Sequence, residues 1–170
     1  MSDPLRDHLL KLLQGSEAHV DLDTAIKGLP AELRGKRPSV RIARTGTSGL
    51  HALAAPHSPW EILEHMRVAQ WDILDFSRNA NYKAMKWPDE YWPKTPAPPS
   101  ANAWTKSVRA FREDMESMCA LVGDPKIDLF ARIPHGDGQT MLREALLLAD
   151  HNAYHLGELV LVRRLLGAWK

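Results

Sequence analysis

Residues 58–76 read SPWEILEHMRVAQWDILDF, and the first four of them decide how the rest is parsed. Ser58-Pro59-Trp60-Glu61 is a capping box with proline at the first helical position. The Ser58 hydroxyl can accept the Glu61 backbone N–H, and the Glu61 carboxylate can return to the Ser58 N–H. A helix therefore starts here. It carries Ile62, Leu63, Met66, Ala69, Trp71, Ile73, Leu74 and Phe76 and ends between Arg78 and Tyr82. Past it, residues 87–99 hold five prolines together with Trp87, Tyr91 and Trp92. Prolines remove backbone donors and fix φ, so this stretch is a crossover loop. Its aromatics predict that it packs onto the body and lines a pocket. Ser100 is then positioned to cap a helix with the stripe Trp104, Val108, Phe111, Met115, Met118 and Val122, closed by Gly123-Asp124-Pro125. Thr140 caps a last helix from Met141 to Leu166, stopped by Gly167. Toward the N-terminus, Leu5, Leu9, Leu12 and Leu13 form a short amphipathic stripe ended by Gly15. A second short helix runs from Asp21 toward Gly28, and residues 31–57 read as loop. The expected architecture is all-α: a four-helix bundle with a long Pro/Trp-rich crossover loop and short extra N-terminal helices, residues 1–170 forming a single domain.

The chain has 170 residues, 22 Lys and Arg against 21 Asp and Glu, and a net charge of +1. That balance leaves no electrostatic footprint for nucleic acid or an anionic membrane, so neither is an expected partner. Apolar runs are too short to span a bilayer, and no basic stretch with an apolar core opens the chain, so no signal peptide is expected. One cysteine, Cys119, cannot form an internal disulfide, which suits a cytoplasmic protein. It reads as a small buried hydrophobe bordering the third helix's stripe. There is no G-x-S-x-G elbow, Walker A loop or strand-linked G-x-G-x-x-G. Thr47-Ser48-Gly49-Leu50 has no neighbouring His and Asp arrangement that would specify a nucleophile.

Eight histidines stand beside that single cysteine, so any metal here meets imidazole. His151 and His155 are four apart on the last helix, on one face and one turn from each other. They read either as two ligands of one ion or as a hydrogen-bonded pair. His65, near the apolar face of the capped helix, is a third ligand or a satisfied core histidine. Together the three give nitrogen donors with open positions left over, the layout of a catalytic site. Glu158 shares the face of the histidine pair. It can accept a ring N–H, serve as a general base, or be a surface charge. Tyr154 faces another side, and Glu61 is explained by its cap. His57 and His135 read as solvated loop residues able to line a pocket mouth, and His8, His19 and His51 carry no pattern.

His57-Ser58-Pro59-Trp60-Glu61-Ile62-Leu63-Glu64-His65-Met66, together with Asp150-His151-Asn152-Ala153-Tyr154-His155-Leu156-Gly157-Glu158-Leu159, resembles the DinB-like (DinB/YfiT) superfamily. Residues 138–144 and the ending 161–169 resemble it too, so the likeness covers most of the chain from about residue 50. The resemblance implies a four-helix bundle that holds a divalent metal (Zn, Ni, Co, Mn or Fe) on three histidines, commonly as a homodimer. The family's first-helix ligand falls on His65 and its H-x-x-x-H pair on His151 and His155. Members with known activity include metal-dependent thiol S-transferases using low-molecular-weight thiols, and a thiol-dependent isomerase. The expected function is a metal-dependent enzyme that activates a thiol, or water as in a hydrolase, for a small-molecule substrate, with Glu158 assisting. A non-catalytic bundle binding a metal or small ligand is the remaining alternative. Cys119 has no expected part in the chemistry, so a reacting thiol would arrive as co-substrate.

Overall fold

The computed structural model describes residues 3–15, 17–43 and 50–169. Among the described residues, five α-helices carry the architecture: α1 (Pro4–Gln14), α2 (Leu22–Ile26), α3 (Pro59–Arg78), α4 (Ala103–Gly123) and α5 (Met141–Leu165). The long helices start where the sequence signals place them. Ser58 and Glu61 form both halves of the capping box on α3, and Thr140 accepts the Arg143 N–H on α5. Asp3 and Asp21 cap α1 and α2 in the same way. Such caps are each worth about 1 kcal/mol, because they satisfy N–H groups the helix leaves unpaired. Gly15 ends α1 at φ +79°, a left-handed conformation that a side chain would strain.

Two expectations are corrected. Ser100 does not cap α4. Its carbonyl accepts the Ala103 N–H in a turn, and the helix begins after Asn102, whose side chain makes no cap bond. The chain leaving Pro98-Pro99 needs that extra turn before it can become helical. Residues 31–57 are also more than loop. A 3₁₀ turn spans Ala31–Leu33, and an antiparallel hairpin pairs β1 (Ser39–Ala43) with β2 (Leu50–Ala54), from Ser39 opposite Ala54 to Ala43 opposite Leu50. The Thr47-Ser48-Gly49 stretch lies outside the described residues.

α3 packs against α4 and α5, α1 packs against α4 and α5, and α4 touches α5. Among the described residues the interior holds two apolar clusters. One joins Trp60, Leu63 and Met66 of α3 with Trp104, Val108 and Phe111 of α4, Leu156 and Leu159 of α5, and α2. The other joins Leu9 and Leu13 of α1 with Leu74, Met118, Val122 and Leu148. Between them lie the buried amides of Gln70 and Asn152. Arg163, also buried, donates to the carbonyls of Ala25, Lys27 and Ala168, tying α2 and the C-terminal end to α5. No helix among the described residues is long and apolar enough to cross a membrane.

The crossover loop lies along α3, from its Ser58 cap to Asp72. Ser58 Oγ donates to the Pro96 carbonyl, and Tyr91 OH donates to Asp72 at 2.6 Å. Gly35 meets the loop so closely that an added Cβ would stand 2.4 Å from the Ala97 Cβ. The arrangement holds the loop's aromatics over the first turns of α3.

Candidate metal centre

His65 is one turn and a half into α3, and the capping box that fixes where α3 begins also fixes where this ring stands. Glu61 is doubly used: it accepts the Ser58 N–H at 2.8 Å and Arg37 Nε at 2.9 Å. On α5, His151 and His155 turn their rings toward His65. The three imidazoles bring ligand nitrogens to within 4.8 Å of one another, and the Nε2 atoms of His65 and His151 are 3.1 Å apart. That is the spacing of neighbouring nitrogens on an ion with bonds of about 2.1 Å.

The outer nitrogens decide which atoms face inward. His65 Nδ1 is 2.9 Å from the Tyr91 carbonyl, which only accepts, so Nδ1 carries the proton and Nε2 keeps its lone pair. His155 Nδ1 is 2.9 Å from Glu158 Oε2, and the same reasoning leaves its Nε2 free. Burial pushes the pKa of His65 down to about 4, with a smaller opposing effect from the Tyr91 carbonyl. Burial likewise brings His151 to about 4, helped by the other two rings. Both rings are neutral donors at neutral pH, the form a metal requires. Three imidazole nitrogens and no thiolate fit a divalent transition-metal ion, and exclude a hard all-oxygen site.

Glu158 takes part as an acceptor at both oxygens. Oε1 lies 3.1 Å from His57 Nδ1 while Oε2 holds His155. Burial alone would raise its pKa, but the hydrogen bonds from His155 and His57 outweigh that and hold the carboxyl below its ordinary value. His57 is therefore not a free loop histidine. It is partly buried, fastened to Glu158 and stacked on Trp92 at 3.9 Å. Trp92 lies between two imidazoles, for its other face is parallel to His65, again at 3.9 Å. Of the other loop aromatics, Trp87 stands 6.3 Å from the His65 ring, while Tyr91 uses its carbonyl here and its hydroxyl on Asp72. His135 is exposed, bonded to the Phe76 carbonyl and not in the cluster. Tyr154 is exposed on the outer side of α5, its ring edge to face with His155.

Sequence spacing thus anticipates the three rings and Glu158, and misses His57, the Tyr91 carbonyl and Trp92's place between two rings. A loop carbonyl has no sequence signature. His57 had one usable signal, its position directly before a helix that carries a candidate ligand. No family model matches this chain, and neither a curated protein nor a solved structure matches it.

Proposed function

We propose that this protein is a metal-dependent enzyme of the DinB-like class, with His65, His151 and His155 as the ligands of a divalent ion. The observation that carries the reading is the convergence of three imidazoles from two helices, two of them with the outer nitrogen already held by an acceptor. A bound divalent ion would lower the pKa of a thiol or water, making the nucleophile available near neutral pH. The chain's own residues then do the rest. Glu158 orients His155 and anchors His57, whose bond to the carboxylate uses Nδ1 and leaves Nε2 to take a proton from an incoming group. Trp92 shields the His65 side from water. Cys119 borders the α1 end of the core, where burial raises its thiol pKa, so the reacting thiol in this reading belongs to a low-molecular-weight co-substrate.

The reading extends to architecture and assembly: α1, α3, α4 and α5 as a single-domain four-helix bundle in the cytoplasm, paired as a homodimer. What supports the pairing is an outward stripe on α5. Leu146, Tyr154, Leu161 and Leu165 are all exposed at helical spacing on a helix whose other faces are buried. Leu161→Glu should shift the particle toward half its mass by light scattering if that stripe is the contact.

The experiment for the site is elemental analysis of protein purified without a metal-affinity tag, beside His151→Ala. One equivalent of Zn, Ni, Co, Mn or Fe in the parent and its loss in the variant support the reading. Substoichiometric metal in both after reconstitution would sink it. Turnover assayed with and without an added small thiol separates transfer from hydrolysis.

A further inference from the structure

α1, α2, α4 and α5 leave a gap where the two apolar clusters of the core meet. The result is a pocket of about 290 Å³, at the lower end of the range for small-molecule sites, about 300–1,000 Å³. Its walls include Leu13 of α1, Leu22 of α2, Phe111 and Met115 of α4, and Ala149 and Leu156 of α5. Leu22, Phe111 and Leu156 belong to one cluster, Leu13 and Ala149 to the other, and Met115 packs against both. Ala149 and Ala153 stand one turn apart on α5, so the helix offers methyl groups where larger side chains would close the gap. Helical spacing turns this face of α5 away from the one that carries His151, His155 and Glu158, so the pocket is separate from the candidate metal centre.

One polar side chain lies deep in these walls. Asn152 lines the pocket and is only 6% exposed. Its polarity is fixed from the other side. The Phe111 carbonyl accepts Gln70 Nε2, so Gln70 presents Oε1, and Asn152 Nδ2 donates to that oxygen at 2.9 Å. Asn152 Oδ1 is the end left over, and it is buried with no hydrogen-bond partner. A buried acceptor without a donor is a cost the fold carries until something supplies one. A lone water is a poor supplier, because buried waters are held by about two to four polar partners, and the other polar side chains of the lining stand farther out. Gln14, His19 and Glu116 are exposed, Asp21 caps α2, and the exposed Arg112 reaches Asp23 at 3.1 Å through Nε. Three carboxylates against one guanidinium make the rim acidic, which repels an anionic ligand and admits a neutral or cationic one.

We propose that this pocket binds a small apolar molecule ending in one hydroxyl or amine, with the donor directed at Asn152 Oδ1. The body of the ligand packs against Phe111, Met115 and the two alanines. Phe111 offers a ring to pack on, and the flexible thioether of Met115 can fill whatever gap the ligand leaves. Asn152 sets the specificity: it rejects a ligand that brings a second acceptor to the wall, and gains nothing from one that brings only methyl groups.

The test titrates the full chain with three probes of similar size: benzyl alcohol, ethylbenzene and benzoate. Binding is followed by the methyl NMR signals of Leu13, Leu22, Met115 and Leu156. Benzyl alcohol should move these signals and bind about 2- to 10-fold more tightly than ethylbenzene, which has the same shape without the donor. Benzoate should bind most weakly of the three. Ala153→Leu places bulk in the pocket at a half-buried position and should weaken benzyl alcohol by about tenfold or more. Ethylbenzene or benzoate binding as tightly as the alcohol in the parent would overturn the ligand class, whatever the variant does. Millimolar benzyl alcohol that moves none of the four signals, or moves them equally in Ala153→Leu, would overturn the site.

Discussion

Replacing Glu158 by glutamine or alanine probes the site at its most loaded joint. The carboxylate accepts from His155 at 2.9 Å and from His57 at 3.1 Å, and its lowered pKa keeps it ionised at neutral pH. Each is a charge-assisted bond, worth about 1.5–3 kcal/mol where a neutral one gives about 1. Glutamine keeps an oxygen for His155 and can turn its amide nitrogen toward His57, so it removes the charge more than the geometry. The expected loss of metal affinity is about tenfold, or ~1.4 kcal/mol. Alanine frees both rings, and the loss should approach about 100-fold, ~2.7 kcal/mol. Competition between the protein and a chromophoric chelator for Zn(II) or Co(II) at pH 7.5 measures both. His135→Ala serves as the control, because that ring lies outside the cluster. Dissociation constants for both Glu158 variants within twofold of the parent would refute the idea that the carboxylate holds a metal ligand.

Three further outcomes follow from the same structure. The metal-free protein should lose several degrees of melting temperature as pH falls from about 6.5 toward about 4. Over that range the unfolded chain protonates His65 and His151 while the folded one resists, both having pKa values brought down to about 4. A pH-independent midpoint over that window in the metal-free protein would contradict the burial assigned to these rings. Tyr91→Phe removes the 2.6 Å bond to the buried Asp72, which keeps its Tyr82 partner at 2.9 Å. It should cost about 1–3 kcal/mol in urea unfolding and loosen the loop carbonyl on His65, with weaker metal binding as the second readout. Arg163→Met leaves the Ala25, Lys27 and Ala168 carbonyls without their donor. Destabilisation of about 2–4 kcal/mol is expected, with faster amide exchange confined to α2 and the C-terminal end.

The helices were legible because their ends are written locally. Ser58 with Glu61, Thr140 and Gly15 each act within one turn, and a cap works the same way whatever the rest of the chain does. His65, His151 and His155 were legible for a related reason: helical spacing puts the α5 pair on one face, and few faces are left for α3 to offer. The start of α4 was misplaced because the prolines before it impose their own turn. The hairpin escaped because its strands have five residues each, too short for alternation to stand out. The least legible features are those made by long-range contact. Nothing near Tyr91 marks its carbonyl as a histidine's partner, and Gln70 and Asn152 look like ordinary helix residues until α3, α4 and α5 come together. His57 reads as solvated until Glu158, 101 positions later, is brought against it.

Trp92, lying parallel to His65 on one face and nearly parallel to His57 on the other, gives the chain a built-in optical sensor. An indole in van der Waals contact with imidazole loses excited-state energy by electron transfer, more so when the imidazole is charged by a proton or drained by a cation. Its emission should therefore report occupancy of the centre. With the other five tryptophans farther from these stacked rings or in the apolar interior, a Trp92→Phe subtraction would isolate that signal and let metal entry be followed by stopped-flow fluorescence without any added dye.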